Sequence, residues 1–69
     1  MNLNIRETVI HNVKDNSTAQ LEDTISDSIE RKKEELLPGL GVLFEIIWKE
    51  SSGEDQQKML ELLENGLKH

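Results

Sequence analysis

The sequence predicts an all-α fold: a compact bundle of four short helices in which one apolar helix, at about residues 40–51, occupies the centre. Three observations predict it. Apolar residues recur at three- and four-residue intervals in four separate segments, and no segment alternates as a half-buried strand would. Turn chemistry rich in Ser, Asn and Gly divides those segments. Residues 36–48 hold the only proline, the only phenylalanine, the only tryptophan and two of the four glycines, so a single apolar helix starts from a fixed turn. With 69 residues the chain forms one domain, 1–69, near the lower size limit for a core without staples.

The first helix carries Ile5, Val9 and Val13 at four-residue spacing, with Leu3 and Ile10 beside them. Arg6, Glu7, His11 and Lys14 fall elsewhere on the wheel. Lys14-Asp15-Asn16-Ser17 breaks the pattern, and Ser17 with Gln20 fits a capping box that starts the second helix at Thr18. That helix has a narrow stripe of Leu21, Ile25 and Ile29, which buries one side and leaves the rest wet. Its acids Glu22 and Asp23 and its bases Arg31, Lys32 and Lys33 match the helix dipole, and Asp27–Arg31 is an i,i+4 pair. Leu36 would continue the stripe, but Pro38 disfavours the α region at Leu37, so the helix ends before it.

The third helix starts near Pro38 or Leu40, where a missing N–H does no harm. Leu40, Val42, Leu43, Phe44, Ile46, Ile47 and Trp48 cover about two-thirds of its wheel, so it must be surrounded. Gly41, Glu45 and Lys49 form the remaining polar stripe, with Glu45–Lys49 an i,i+4 pair. Gly41 lowers helix propensity by about 1 kcal/mol, which a close approach of another helix would offset. Ser51 with Glu54 reads as a second capping box. The fourth helix presents Met59, Leu60, Leu63 and Leu67 on one face with Leu62 at its margin, and Glu54–Lys58 and Glu64–Lys68 on the wet side. Asn65-Gly66 reads as its C-cap, with Leu67 folding back.

Fourteen acids against eight Lys/Arg give a net charge of −6, which repels phosphate backbones and anionic lipid and disfavours both as partners. In acid, with carboxylates protonated, eight Lys/Arg and two His keep the chain dispersed even if its fold loosens. There is no cysteine, which excludes disulfides and thiolate metal sites and suits a reducing compartment. No basic segment followed by an apolar run opens the chain, so no secretory signal is expected, and the longest apolar stretch, about thirteen residues, falls short of the roughly 20 that span a bilayer. A cytoplasmic location is expected.

Nothing in the pattern supplies a reaction. His11 has no second ligand or carboxylate pair at metal or catalytic spacing. Ser17, Ser51 and Ser52 are capping residues, and Ser26 and Ser28 have no base in register. The neighbouring acids Glu22-Asp23, Glu34-Glu35 and Glu54-Asp55 diverge on a helix and do not flank a substrate. Gly39-Leu40-Gly41 lacks the strand, third glycine and Lys-Ser/Thr of a phosphate loop. Arg31-Lys32-Lys33 is enclosed by Glu30, Glu34 and Glu35. No catalytic residue, cofactor or metal site is assigned. The sharper reading concerns contact: Phe44 and Trp48 enrich one face of the third helix, while Val42 and Ile46 lie away from the Leu40–Phe44–Ile47 side. If that second side stays open, another protein or a second copy would cover it.

The run Leu36-Leu37-Pro38-Gly39-Leu40-Gly41-Val42-Leu43-Phe44-Glu45, followed by Ile46-Ile47-Trp48-Lys49, resembles the small acid-soluble spore protein I family of endospore-forming bacteria. The similarity extends to Met1-Asn2-Leu3-Asn4-Ile5-Arg6, to His11-Asn12-Val13 and to Met59-Leu60-Glu61-Leu62-Leu63-Glu64-Asn65-Gly66-Leu67-Lys68. Arg31-Lys32-Lys33 departs from it, since the resemblance leads one to expect a glycine-containing turn there. The resemblance implies a minor, non-enzymatic protein made in the developing forespore and kept in the spore core, with no established ligand residues to carry over. It gives Leu36, Leu37, Pro38, Gly39, Leu40, Gly41, Val42, Phe44, Ile46 and Trp48 as the signature and candidate interface. The leading expectation is action by packing or binding in sporulation, dormancy or outgrowth. The alternative is a helical adaptor that docks on another protein, or on itself as a homodimer. His69 is compatible with a native terminus or with the start of a tag.

Overall fold

A computed structural model of the chain describes residues 4–68. Leu3 and His69, both named above, lie outside the described residues. Four α-helices follow one another: α1 (Ile5–Val13), α2 (Thr18–Arg31), α3 (Leu37–Glu50) and α4 (Gly53–Leu67). A 3₁₀ turn at Glu34–Leu36 leads into α3, and no strand occurs among the described residues. The all-α class and its four helices are as the periodicity predicts. The arrangement is looser than a compact bundle. Its radius of gyration is 13.3 Å, against about 11 Å for a compact domain of this length.

Each helix start has a local cause. Asn4 caps α1 by accepting from the Glu7 N–H at 3.0 Å. At α2 the expected capping box is complete: Gln20 N–H donates to Ser17 Oγ at 3.2 Å, and Ser17 N–H to Gln20 Oε1 at 2.8 Å. The box expected at Ser51 does not form, and a simple cap lies one residue further on. Ser52 caps α4 by accepting from Asp55 N–H at 3.1 Å, while the Ser51 hydroxyl turns back to the Ile47 carbonyl. Two adjacent serines compete for one cap, and the sequence pattern alone favoured the one with Glu three residues on.

The end of α2 is sharp rather than blurred. Lys32 adopts φ 52°, ψ 34°, a left-handed conformation, and its N–H reaches the Ile29 carbonyl at 3.3 Å. This is the position at which a glycine-containing turn was expected, and lysine occupies it against the steric preference of its Cβ. The third helix begins earlier than residue 40, at Leu37. Leu37 has φ −61°, ψ −40°, helical despite the proline that follows. The 3₁₀ turn delivers it in that state, with its N–H bonded to the Glu34 carbonyl, and Pro38 falls within the first turn. At the far end, α4 runs through Asn65 and Gly66 instead of stopping there. Gly66 has no positive φ, and Leu67 is 76% exposed, so no fold-back cap forms.

Packing is uneven. α3 is the hub: α1 lies against it most extensively, and α2 and the 3₁₀ turn touch it more lightly. Val42, 9% exposed, is the one buried apolar residue among those described. α4 has at most a marginal contact with any other element. Only three of the four helices therefore share the interior, and the expectation that all three others wrap α3 fails at α4.

Candidate functional site

The α1–α3 contact is closed by an ion pair that the pattern on either helix does not announce. Arg6 on α1 grips Glu45 on α3 with two parallel hydrogen bonds, Nε to Oε1 and Nη2 to Oε2, each 2.8 Å. Such a fork fixes orientation as well as distance. The hydrogen bond from Arg6 holds the Glu45 carboxyl below its ordinary value of 4.5; burial opposes this, and the charges of Arg6 and Lys49 reinforce it. Glu45 therefore pairs across the fold rather than with Lys49 along its own helix. The other ion pair among the described residues is Asp27–Arg31 at 3.0 Å, as predicted; Glu54–Lys58 and Glu64–Lys68 do not form.

That clasp decides which side of α3 is covered. Val42 faces inward while Ile46 is 37% exposed, so the Val42/Ile46 side is covered at Val42 and open at Ile46. A wheel that is two-thirds apolar does not say which third its neighbours leave bare; the Arg6–Glu45 fork and the approach of Val9 to Gly39 settle it. The exposed apolar side runs along Leu37, Phe44 and Ile47, with Phe44 49% and Ile47 45% accessible. Trp48 is half-buried and tilted against Phe44, ring centroids 6.0 Å apart. Gly41 is exposed, and a Cβ there would meet open space, so no helix approaches it closely.

A second apolar face belongs to α4. Leu60, Leu63 and Leu67 are all exposed along one side, and Leu62 at the margin is 72% accessible. The α3–α4 junction is nonetheless fixed: Gln56 Nε2 donates to the Trp48 carbonyl at 2.9 Å, across two extended residues, Ser51 and Ser52.

Two grooves between the helices are mainly apolar, although Asn12, Thr24 and Ser28 also line the larger. One of about 420 Å³ is bounded by α1, α2 and α3 and contains a single ionisable side chain, Glu35. Another of about 250 Å³ lies between Ile10, Leu21, Ile25 and Ile47, with Lys14 as its only charge. His11 is exposed on α1, and no three His, Asp or Glu side chains gather as a metal set among the described residues. No helix among them is long and apolar enough to cross a membrane. What the geometry offers is surface for contact: one bare side on α3, one on α4.

Comparison with known proteins follows the same residues. The profile of the family described as Small, acid-soluble spore protein I matches residues 3–67. Proteins of that description from Bacillus licheniformis and Geobacillus sp. are each 54% identical over 68 residues, covering 99% of this chain and 97% and 96% of theirs. The protein of that description from Bacillus subtilis is 53% identical, over 99% of this chain and 96% of its own. No solved structure matches.

Proposed function

The chain belongs to the small, acid-soluble spore protein I family, and from that premise we propose that it is a non-enzymatic protein of the spore core. In this reading it is made in the forespore and acts by packing or binding during sporulation, dormancy or outgrowth. The observation that carries the location is identity above half across nearly the whole of several spore proteins. Support for action by contact comes from the two exposed apolar sides, on α3 and α4, beside grooves with one ionisable group each. An active site ordinarily needs several polar groups aimed into one concavity.

Composition agrees with the second word of the family description. Below the carboxylate range the chain carries only positive side-chain charge, from eight Lys/Arg and two His, and mutual repulsion keeps it in solution. The test is fractionation of a sporulating culture of the source organism. Purified spores are stripped of coat, broken and extracted with dilute acid, and the protein is quantified by mass spectrometry beside vegetative cells. Recovery in the acid extract of the core and depletion from vegetative cells is the expected result. Equal abundance in vegetative cells, or retention with the coat, would overturn the reading.

A further inference from the structure

We propose that two copies of this chain exchange their fourth helices: the apolar stripe of each α4 lies antiparallel along the exposed side of the other copy's α3, with Glu61 and Glu64 facing Lys32 and Lys33. This deepens the contact-based reading above and rests on it, but not on where in the cell the protein works.

Surface area is the first argument. The chain exposes 6098 Å², whereas a folded monomer of 7.9 kDa exposes about 4,400 Å². The excess is about twice the roughly 800 Å² that each partner contributes to a stable interface. A second copy is an occupant large enough to remove it.

The second argument is the match of the two bare faces. On α3, Leu37 to Ile47 extends about 15 Å; on α4, Leu60 to Leu67 extends about 11 Å, so the stripe lies within the groove it would fill. Closure within one chain is opposed at the junction. Gln56 is anchored on the Trp48 carbonyl, Ser51 on that of Ile47, and only Ser51 and Ser52 separate the helices. Swinging α4 back onto its own α3 would carry Gln56 off the Trp48 carbonyl, whereas docking on another copy leaves that bond in place. Because α4 leaves from the C-terminal end of α3, a two-fold exchange runs it toward the N-terminal end of the other α3. Such an arrangement also sets the helix dipoles antiparallel.

Charge is the third. A shallow groove of about 320 Å³ beside Leu37 and Ile29 is edged by Lys32 and Lys33, neither of which pairs with a carboxylate among the described residues. Glu34 is the one acid on that edge. Glu61 and Glu64 lie on the C-terminal half of α4, next to the leucines that would enter the groove, and are likewise unpaired. The antiparallel register brings the two sets together.

Sedimentation equilibrium on the full chain at micromolar concentration is expected to show a species of twice the 7.9 kDa chain mass. Leu63→Glu and Phe44→Glu should each weaken association at least about 10-fold, as loss of an interface anchor does. Lys32→Glu with Lys33→Glu should weaken it roughly 3- to 10-fold at low salt, and adding Glu61→Lys with Glu64→Lys should restore it. Register is read directly, because the chain has no cysteine and takes a single label cleanly. A nitroxide on Glu64→Cys, mixed with unlabelled ¹⁵N chain, should broaden the amides of Leu37 and Leu40. A monomer at all concentrations overturns the proposal. So does a dimer whose broadening falls on α4 itself or on the Ile47 end of α3.

Discussion

Two helices, α1 and α4, meet α3 in different ways. α1 is only nine residues long, yet it is held to α3 by a two-pronged ion pair and by the approach of Val9 to Gly39. α4 has fifteen residues and a cleaner apolar stripe, yet it touches α3 chiefly at their shared junction and leaves its leucines exposed. Apolar periodicity is therefore a statement about what a helix is able to bury, not about which surface it will meet. α1 has a specific polar partner to fix its register on α3, whereas α4 has only its tether.

The sharpest way to break this contrast is to place a charge on each side of it. Val42→Asp puts an unpaired carboxylate where α1 and α3 meet and should cost several kcal/mol, enough to unfold a domain this small. Leu62→Glu on the margin of α4 should change stability by no more than about 0.5 kcal/mol. Urea titration followed by circular dichroism reads both; equal losses would mean that α4 is as much a part of the interior as α1.

Smaller gains test the backbone. Lys32→Gly relieves a left-handed residue and should stabilise the chain by roughly 1 kcal/mol in the same titration. A neutral result would show that the turn relaxes without help. Gly41→Ala fills open space on the exposed side of α3, and its higher helix propensity should add up to about 1 kcal/mol. Destabilisation there would reveal a neighbour on the face described as bare.

The smallest effect concerns the clasp. The folded-state pKa of Glu45 is depressed, so its contribution is present above the ordinary value of 4.5 and is lost as pH falls through the lower folded value. Its size is small because Arg6 is largely in water. Glu45→Gln should flatten that part of the pH dependence, measured as the urea midpoint between pH 6 and pH 3. An unchanged slope would show that Arg6 and Glu45 do not meet in solution.

How far the fold was legible follows from the range of each interaction. The Ser17–Gln20 box, the Asp27–Arg31 pair and the four helices are local and readable from spacing. The cap at Ser52 was missed by one position because Ser51, with Glu54 three residues on, fits the capping-box pattern better on sequence alone. Asn65-Gly66 has the composition of a helix stop, but α4 continues because right-handed backbone remains open to a glycine. The Arg6–Glu45 fork joins residues 39 apart, and no spacing rule reaches that far. Without that contact in view, the sequence does not separate Val42, which is buried, from Ile46, which stays exposed. The left-handed turn at Lys32 was legible only through the family resemblance, as the place where glycine was expected.

An interior that encloses, among the described residues, a lone valine has a thermodynamic signature of its own. Unfolding such a molecule hydrates little new hydrocarbon, so its heat-capacity increment falls below the usual value of roughly 12–15 cal/mol/K per residue. The stability curve is then shallow, melting spreads over a wide interval, and cold unfolding retreats to lower temperature.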